Sequence, residues 1–248
     1  MQESALSKKG VVNMTADGGV VVGEVLAAAV LREVPKGVRK VSSWVKGRSI
    51  LVVGQARSGK TSFYHFLRYG ELEKEEETDI TYDEKRSRGF VLRIGKAGSA
   101  ELHIRQARDV PGQSGAVEHA KLVQRRRPHA LVIMTDLTTP LTGADDRAAG
   151  AWLKLFSSHL ADKLRGSLLT RRSLKSIIVV MNKADKAKKT KIEARRRAFK
   201  KILVDKLEPV YGSRARSIPI VQCVLVDKGR GSSQADALVR KLAKSLLE

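Results

Sequence analysis

The sequence predicts an α/β fold: a doubly wound, mostly parallel sheet of six strands with one antiparallel edge strand. Strands that alternate with helices indicate parallel βαβ units, whose strands are buried on both faces. A pair of runs at residues 90–94 and 101–105 flanks a turn-like segment and predicts a hairpin, which supplies the edge strand. Four short apolar runs separated by helical patterns are the parallel strands that carry this prediction: residues 50–53, 130–134, 176–181 and 218–226.

The chain is expected to consist of an N-terminal extension, residues 1–46, and a main domain, residues 47–248. Residues 1–17 are polar and aperiodic, which is typical of disorder. The apolar segment 20–34 predicts a short helix that packs on the domain or on a partner, or that contacts a membrane surface. Glu24 and the limited length of this segment argue against a membrane-spanning helix. A basic amphipathic segment, residues 36–48, follows it.

The charge of the chain favours anionic partners. It carries 48 Lys and Arg against 26 Asp and Glu, a formal net charge of +22. A field of that sign attracts nucleotides, RNA, anionic lipid headgroups or an acidic protein face. Residues 186–206 hold ten of the basic residues. We interpret them as a solvated helix face or as a docking surface for RNA or anionic lipid, with segment 36–48 as a second one.

No transmembrane span is expected, because no apolar stretch reaches roughly 18 residues. The first ten residues lack the pattern of a secretory signal, so we expect a cytoplasmic protein, peripheral at a membrane surface at most. Cys223, the single cysteine, lies in an apolar run and is expected to be a buried free thiol. The five histidines lack zinc-site spacing, and no role is predicted for them.

The first chemical motif spans residues 54–61, Gly-Gln-Ala-Arg-Ser-Gly-Lys-Thr, between a predicted strand and a predicted helix. This is the pattern of a phosphate-binding loop, in which Gly59 allows successive N–H groups to turn toward phosphate oxygens. Lys60 is expected to bridge the β- and γ-phosphates, and Thr61 to ligate Mg²⁺. By itself the motif leaves ATPases, kinases and GTPases open. The predicted phosphate contacts are Gly54, Ala56, Arg57, Ser58, Gly59, Lys60, Thr61 and Ser62.

A second motif, Asp-Val-Pro-Gly-Gln at residues 109–113, follows a predicted strand. Asp109 is expected to hold Mg²⁺ through water, at the sheet edge that faces the phosphates. Gly112 has no Cβ, so its N–H can approach a γ-phosphate closely and the loop can rearrange when that phosphate leaves. Gln113 is placed to orient the attacking water, which makes Gln113 and Lys60 the predicted catalytic residues.

The third motif is Asn-Lys-Ala-Asp at residues 182–185, after the strand 176–181. The carboxylate of Asp185 can accept from both the ring N–H and the exocyclic amine of guanine, whereas adenine offers no such donor pair. Asn182 is expected to tie this loop to the phosphate loop, with Lys183 also at the nucleotide. Guanine selectivity is the consequence.

The three motifs together resemble the phosphate, magnesium and guanine motifs of the Ras-like small GTPase superfamily, over about residues 49–247. Within it, the Gln-Ala-Arg-Ser loop, the hairpin and the Asp-Val-Pro-Gly-Gln sequence look more like ADP-ribosylation factors and the beta subunit of the signal-recognition-particle receptor. The resemblance implies a GTP/GDP-binding switch with Mg²⁺ and an effector protein that binds one nucleotide state. An ATP-using kinase would require the third motif to be accidental.

The sequence departs from the family pattern in three places. The switch threonine that reaches Mg²⁺ is either Thr78 or Thr81, and Thr81 is preferred because it lies nearer the hairpin. The family's last loop aligns with about Val224 and Leu225, whose contacts would come mostly from the backbone. Ala56 replaces a family glycine, and no arginine occurs in residues 71–85. Unaided hydrolysis is therefore expected to be slow, on the order of 10⁻⁴ to 10⁻² per second.

Overall fold

The computed structural model describes residues 47–72, 85–86, 90–94, 100–111, 114–143, 148–226 and 231–247. The predicted extension, residues 1–46, lies outside the described residues. So do Thr78, Thr81, Gly112 and Gln113.

The described strands form one sheet, in the order β2-β4-β1-β5-β6-β7, with β3 also paired to β4. Neighbours among β1, β4, β5, β6 and β7 pair in parallel, while β2 and β3 both run antiparallel to β4. The strands are β1 (Arg48–Gly54), β2 (Lys85–Arg86), β3 (Phe90–Ile94), β4 (Ala100–Asp109), β5 (Ala130–Asp136), β6 (Ser176–Asn182) and β7 (Ile220–Gln222).

Helices cover both faces of this sheet. Alternate residues of β1 show the division, since Ile50 and Val52 belong to one apolar cluster and Leu51 and Val53 to the other. The helices are α1 (Lys60–Tyr69), α2 (Gly115–Arg126), α3 (Ala149–Arg165), α4 (Leu168–Ser173), α5 (Lys189–Tyr211), α6 (Arg214–Ser217) and α7 (Gly231–Leu247), with a 3₁₀ turn at Ala184–Lys186. Helices α1 and α7 pack on the first cluster; α2, α3 and α5 pack on the second.

The predicted doubly wound sheet is confirmed, with two differences in its edges. The antiparallel edge is described as two short strands, β2 and β3, rather than one, which gives seven strands in place of the predicted six. The predicted run 218–226 is a strand only at Ile220–Gln222. After it, the Cys223 N–H still donates to the Met181 carbonyl, but the Leu225 N–H binds a side chain, the Asn182 Oδ1, rather than a neighbouring strand.

Two smaller predictions are also confirmed by the structure. The predicted hairpin is present, with Phe90 opposite Ile104 and Ile94 opposite Ala100. Cys223 is a buried free thiol, and burial raises its pKa to about 12. Among the helices that the structure describes, none is long and apolar enough to cross a membrane.

Candidate nucleotide-binding site

The three motifs come together at the carboxyl edge of the parallel strands. Asp109, the last residue of β4, pairs with Val52 of β1, two residues before Gly54. Asp136 and Asn182, the last residues of β5 and β6, pair with each other. In open α/β sheets this edge, where crossovers leave in opposite directions, is where ligands bind.

The phosphate loop, residues 54–61, is folded tightly around one carbonyl. The Gln55 carbonyl accepts from the Lys60 Nζ at 2.7 Å and from the Ser58 Oγ at 2.8 Å. Lys60 is only 5% exposed. The loop thus surrounds its own ammonium group, which lies where a phosphate-binding loop would present it.

Gly54 and Gly59 are needed because of close approaches. A Cβ on Gly54 would collide with the Met134 carbonyl oxygen of the adjacent strand β5. Gly59 has φ +89°, a left-handed conformation, and a Cβ there would collide with the Asn182 Nδ2. Gly59, the N-cap of α1, is therefore a position that only glycine fits, and the first turn of α1 contains no acidic side chain.

Asn182 connects three loops through its buried side-chain amide. Its Nδ2 donates to the Ser58 carbonyl at 3.1 Å, and its Oδ1 accepts from the Leu225 N–H at 3.1 Å. The expected tie between this motif and the phosphate loop is present. The same amide also fixes the last loop, residues 223–226, which sequence reasoning placed at the site without this contact.

Asp136 organises the side of the site next to β5. Its Oδ2 pairs with the Lys183 Nζ at 2.6 Å, and Oδ1 accepts from the Thr138 N–H and hydroxyl at 2.7 and 2.6 Å. Lys183 is 30% exposed and takes a left-handed backbone with φ 61°. Sequence reasoning missed Asp136; its position at the end of a buried strand beside the third motif was the available signal.

The buried side chain of Arg195 binds the loop that follows β5. It is 1% exposed and donates to the carbonyls of Asp136, at 2.7 Å, and Thr139, at 2.5 Å. Burial lowers the pKa of its guanidinium, and the nearby Asp136 opposes that shift. Arg195 was counted within the basic segment 186–206 as part of a surface. That assignment is wrong for Arg195, since its side chain lies in the interior.

His119 on α2 holds the start of the second motif's loop. Its Nε2 lies 2.9 Å from the Pro111 carbonyl, which only accepts, so Nε2 carries the proton. Burial lowers the pKa of His119 to about 4, a shift that the Pro111 hydrogen bond opposes and the Lys60 charge reinforces. The imidazole is therefore neutral near pH 7. No role was predicted for it from the sequence.

The remaining predicted residues fall at the same edge, as far as they are described. Ala56, Arg57 and Asp185 are exposed, Thr61 and Val224 are half-buried, and Ser62 and Leu225 are buried. Gly112 and Gln113 lie outside the described residues, as do both candidate switch threonines, Thr78 and Thr81.

Arranged in this way, the edge offers complementary groups to two ends of one ligand. Lys60 and the start of α1 form a cationic, hydrogen-bond-donating end suited to phosphates. The exposed carboxylate of Asp185 forms an accepting end suited to paired N–H donors. Within the described part of the chain, no three His, Cys, Asp or Glu side chains cluster as a metal site. Mg²⁺ commonly uses few protein ligands together with phosphate oxygens.

No protein-family model and no curated protein matches the chain. Among solved structures, a dimerisation-deficient mutant of Toc33 from Arabidopsis thaliana matches with 13% identity and a TM-score of 0.55, over 82% of this chain and 85% of that one. A bacterial selenocysteine-specific elongation factor, EF-Sec, matches 82% of this chain with 15% identity and a TM-score of 0.51.

A third structure is the elongation factor SelB from Methanococcus maripaludis in complex with the GTP analogue GppNHp. It has 18% identity over 83% of this chain and a TM-score of 0.49. This chain spans 35% of SelB and 29% of EF-Sec, so both elongation factors are much longer. At these identities the matches concern the fold alone.

Proposed function

Since the chain has the fold of a P-loop GTPase G domain, we propose that it is a guanine-nucleotide-binding switch. It binds GTP or GDP with Mg²⁺, hydrolyses GTP slowly, and recruits an effector protein in one nucleotide state. We place it in the cytoplasm. The G domain covers residues 47–248, and residues 1–46 form an extension.

One observation carries this proposal: the Asn182 amide joins the phosphate loop to the loop after β7. A loop that reads the base and a loop that holds phosphates must keep a fixed distance to select one nucleotide. Here Asn182, in the same motif as Lys183 and Asp185, supplies that link directly. A structural loop with no ligand would not need both motifs at one edge.

The described residues fit the nucleotide in a specific way. Lys60 and the N–H groups at the start of α1 would hold the β- and γ-phosphates. Asp185 would accept from the guanine N–H and amine, and Lys183, paired with Asp136, would lie along the base or ribose. The backbone of the loop at Val224 and Leu225 would close the base side.

Mg²⁺ fits the oxygen donors at this edge. Thr61 carries a half-buried hydroxyl at the start of α1, and Asp109 ends the strand beside β1. Thr81 is the further proposed ligand. These are hard oxygen donors of the kind Mg²⁺ prefers, and the metal would offset the charge of the phosphates.

Slow hydrolysis rests on the sequence. Gln113 is the proposed water-orienting residue, and residues 71–85 supply no arginine. Without an arginine in cis, the charge that develops on the phosphates is stabilised mainly by Lys60 and the metal. The exposed methyl of Ala56 would also crowd an arginine inserted by an activating protein.

Nucleotide titration tests the proposal. The full chain should bind labelled GDP and GTP in preference to ATP. Asp185→Asn should weaken GDP binding and favour xanthosine diphosphate, because an amide can donate to the second xanthine carbonyl. Asp205→Asn on the exposed side of α5 is the matched control and should behave as the wild type. An Asp185→Asn protein that still prefers guanine would refute the base assignment.

A second candidate function is a GTP-loaded binding module that docks on RNA, a ribosome or an anionic membrane with little switching. The exposed cations along α5, such as Lys189, Lys191, Arg197 and Lys201, favour it. Such binding falls steeply with salt. If binding to RNA or vesicles is also the same with GDP and with GTP, the binding-module function is supported over the switch. If that binding differs between the two nucleotides, the switch function is supported.

A further inference from the structure

We propose that the end of the sheet opposite the candidate nucleotide site docks on an anionic lipid bilayer. There, a cleft lined by Arg171, Arg172, Lys175 and Arg214 binds lipid phosphates. Beside it, Leu168 and Leu169 enter the bilayer interface. We call these four cations and the Tyr211 between them the basic cleft.

The basic cleft lies at the amino ends of the parallel strands. Lys175 directly precedes β6, and Tyr211 ends α5, which runs back from the carboxyl edge. Strand β6 has seven residues, so the cleft and Asn182 are roughly 20 Å apart. A surface that docks through the cleft leaves the nucleotide site open.

The cleft is a built feature, with a volume of about 340 Å³. The Tyr211 hydroxyl donates to the Lys175 carbonyl at 3.2 Å, which anchors the ring against the start of β6. The Arg214 guanidinium lies 5.6 Å from the centre of the same ring. Tyr211 thus sets the positions of cations that come from two separate segments of the chain.

No acidic residue lines the cleft. Two acids near the ends of the adjoining helices pair with other cations: Asp162 pairs with Arg165 at 3.1 Å, and Glu208 pairs with Arg216 at 2.6 Å. The cluster therefore keeps a concentrated positive charge. Such clusters bind phosphate oxygens, and Arg does so with two parallel hydrogen bonds.

The exposed leucines favour a bilayer over a nucleic acid. Leu168 and Leu169 are each 57% exposed, the highest values among the large apolar side chains that the structure describes. In α4, Leu168 stands three and four residues before Arg171 and Arg172, so the three side chains are neighbours. Apolar side chains beside cations are typical of segments that lie in a membrane interface.

Further cations extend the same edge. Arg125, Arg126 and Arg127 are exposed at the end of α2, shortly before β5 begins. The first residue of β5, Ala130, pairs with Ser176 next to Lys175. Cations therefore lie near the starts of two neighbouring strands, β5 and β6. Together they form a broad positive surface, which suits a flat anionic membrane.

Vesicle co-sedimentation of the full chain tests the proposal. Phosphatidylcholine vesicles with added phosphatidylserine should bind the protein, and vesicles of phosphatidylcholine alone should not. Replacing Arg171, Arg172 and Arg214 by Gln should weaken binding roughly a hundredfold, at about fivefold per cation near the surface. Replacing Leu168 and Leu169 by Ser should weaken it as well without changing the charge.

The matched control replaces Lys189, Lys191 and Lys201 by Gln, which removes the same charge from the exposed side of α5. It should bind vesicles much more tightly than the cleft variant. Equal losses in the two charge variants would overturn the proposal, as would wild-type binding by the leucine variant or no binding to the anionic vesicles. So would a cleft variant that loses polyuridylate binding but keeps vesicle binding. Thermal unfolding checks that each variant is folded, independently of nucleotide.

Discussion

Asn182 donates from Nδ2 to the Ser58 carbonyl at 3.1 Å, a bond that spans 124 residues of sequence. The bond is buried and links the base motif to the phosphate loop. Its partner bond, from the Leu225 N–H to the Asn182 Oδ1, uses the other end of the same amide. Loss of this one side chain would therefore release three loops.

Asn182→Ala should lower both stability and nucleotide affinity. The Ser58 carbonyl and the Leu225 N–H would lose their partner, and each buried unpaired group costs about 1–3 kcal/mol. Urea unfolding and GDP titration measure the two effects. Thr135→Val, which removes a buried hydroxyl that donates to the Val180 carbonyl, is the control. It should lower stability alone; wild-type affinity in Asn182→Ala would contradict the linking role.

Gly59→Ala should abolish nucleotide binding. The new methyl group would collide with the Asn182 side chain, and φ +89° strains any residue other than glycine. Gly212→Ala is the control for a left-handed glycine without a collision, since Gly212 has φ +64° and its methyl would meet nothing within 4 Å. GDP titration of both variants should show loss only in Gly59→Ala. Equal affinities would mean that the close approach to Asn182 is unimportant.

Arg195→Met should destabilise the protein by about 2–4 kcal/mol, because it leaves the carbonyls of Asp136 and Thr139 without their buried donor. Arg197→Met on the exposed side of the same helix should change stability by less than about 0.5 kcal/mol. Urea unfolding of the two variants provides the comparison. If both variants changed the free energy of unfolding by equally small amounts, the Arg195 side chain would be solvent-exposed like that of Arg197.

Stability should fall in acid in a way that depends on His119. Its folded pKa is about 4, below the ordinary 6.5, so the unfolded chain binds the extra proton between these values. The contribution of His119 is present above pH 6.5 and is lost as the pH falls to about 4. It amounts to about 3 kcal/mol. A buried histidine that must charge on unfolding has this sign.

The measurement is urea unfolding of the wild type and His119→Gln between pH 7 and about pH 4. The Gln amide can still donate to the Pro111 carbonyl but does not titrate. The difference between the two proteins should shrink as the pH falls. His159→Gln on α3 is the control substitution. A constant difference would mean that folding does not shift the pKa of His119.

Residues within one motif were predictable because their spacing is local. The phosphate loop needs a strand, a glycine turn and a helix within about a dozen residues, and the structure places β1, Gly59 and α1 in that order. The contact of Asn182 with the phosphate loop was expected because both motifs follow strands of one parallel sheet. Parallel strands meet at one edge, so motifs at their ends become neighbours.

The burial of Arg195 and His119 was not predicted from the sequence, although their positions in the helical pattern indicated it. Arg195 lies between Ile192 and Phe199 at helical spacing on the apolar side of α5. His119 lies beside Ala120 among the buried residues of α2. Both were judged by residue type, as a surface cation and an incidental histidine. Their position on the buried face was the better guide.

The sequence by itself determined which strands and loops carry the motifs and the chemistry of each motif, since backbone periodicity and loop spacing are local properties of the chain. Only the tertiary structure decided which polar groups are buried together, such as Asn182 with Leu225 and Arg195 with Asp136. It also assembled the basic cleft from Arg171 and Arg214, which share no motif. Which side chains are buried together depends on how segments that are far apart in the sequence pack against each other. The spacing of residues along the chain does not specify that packing.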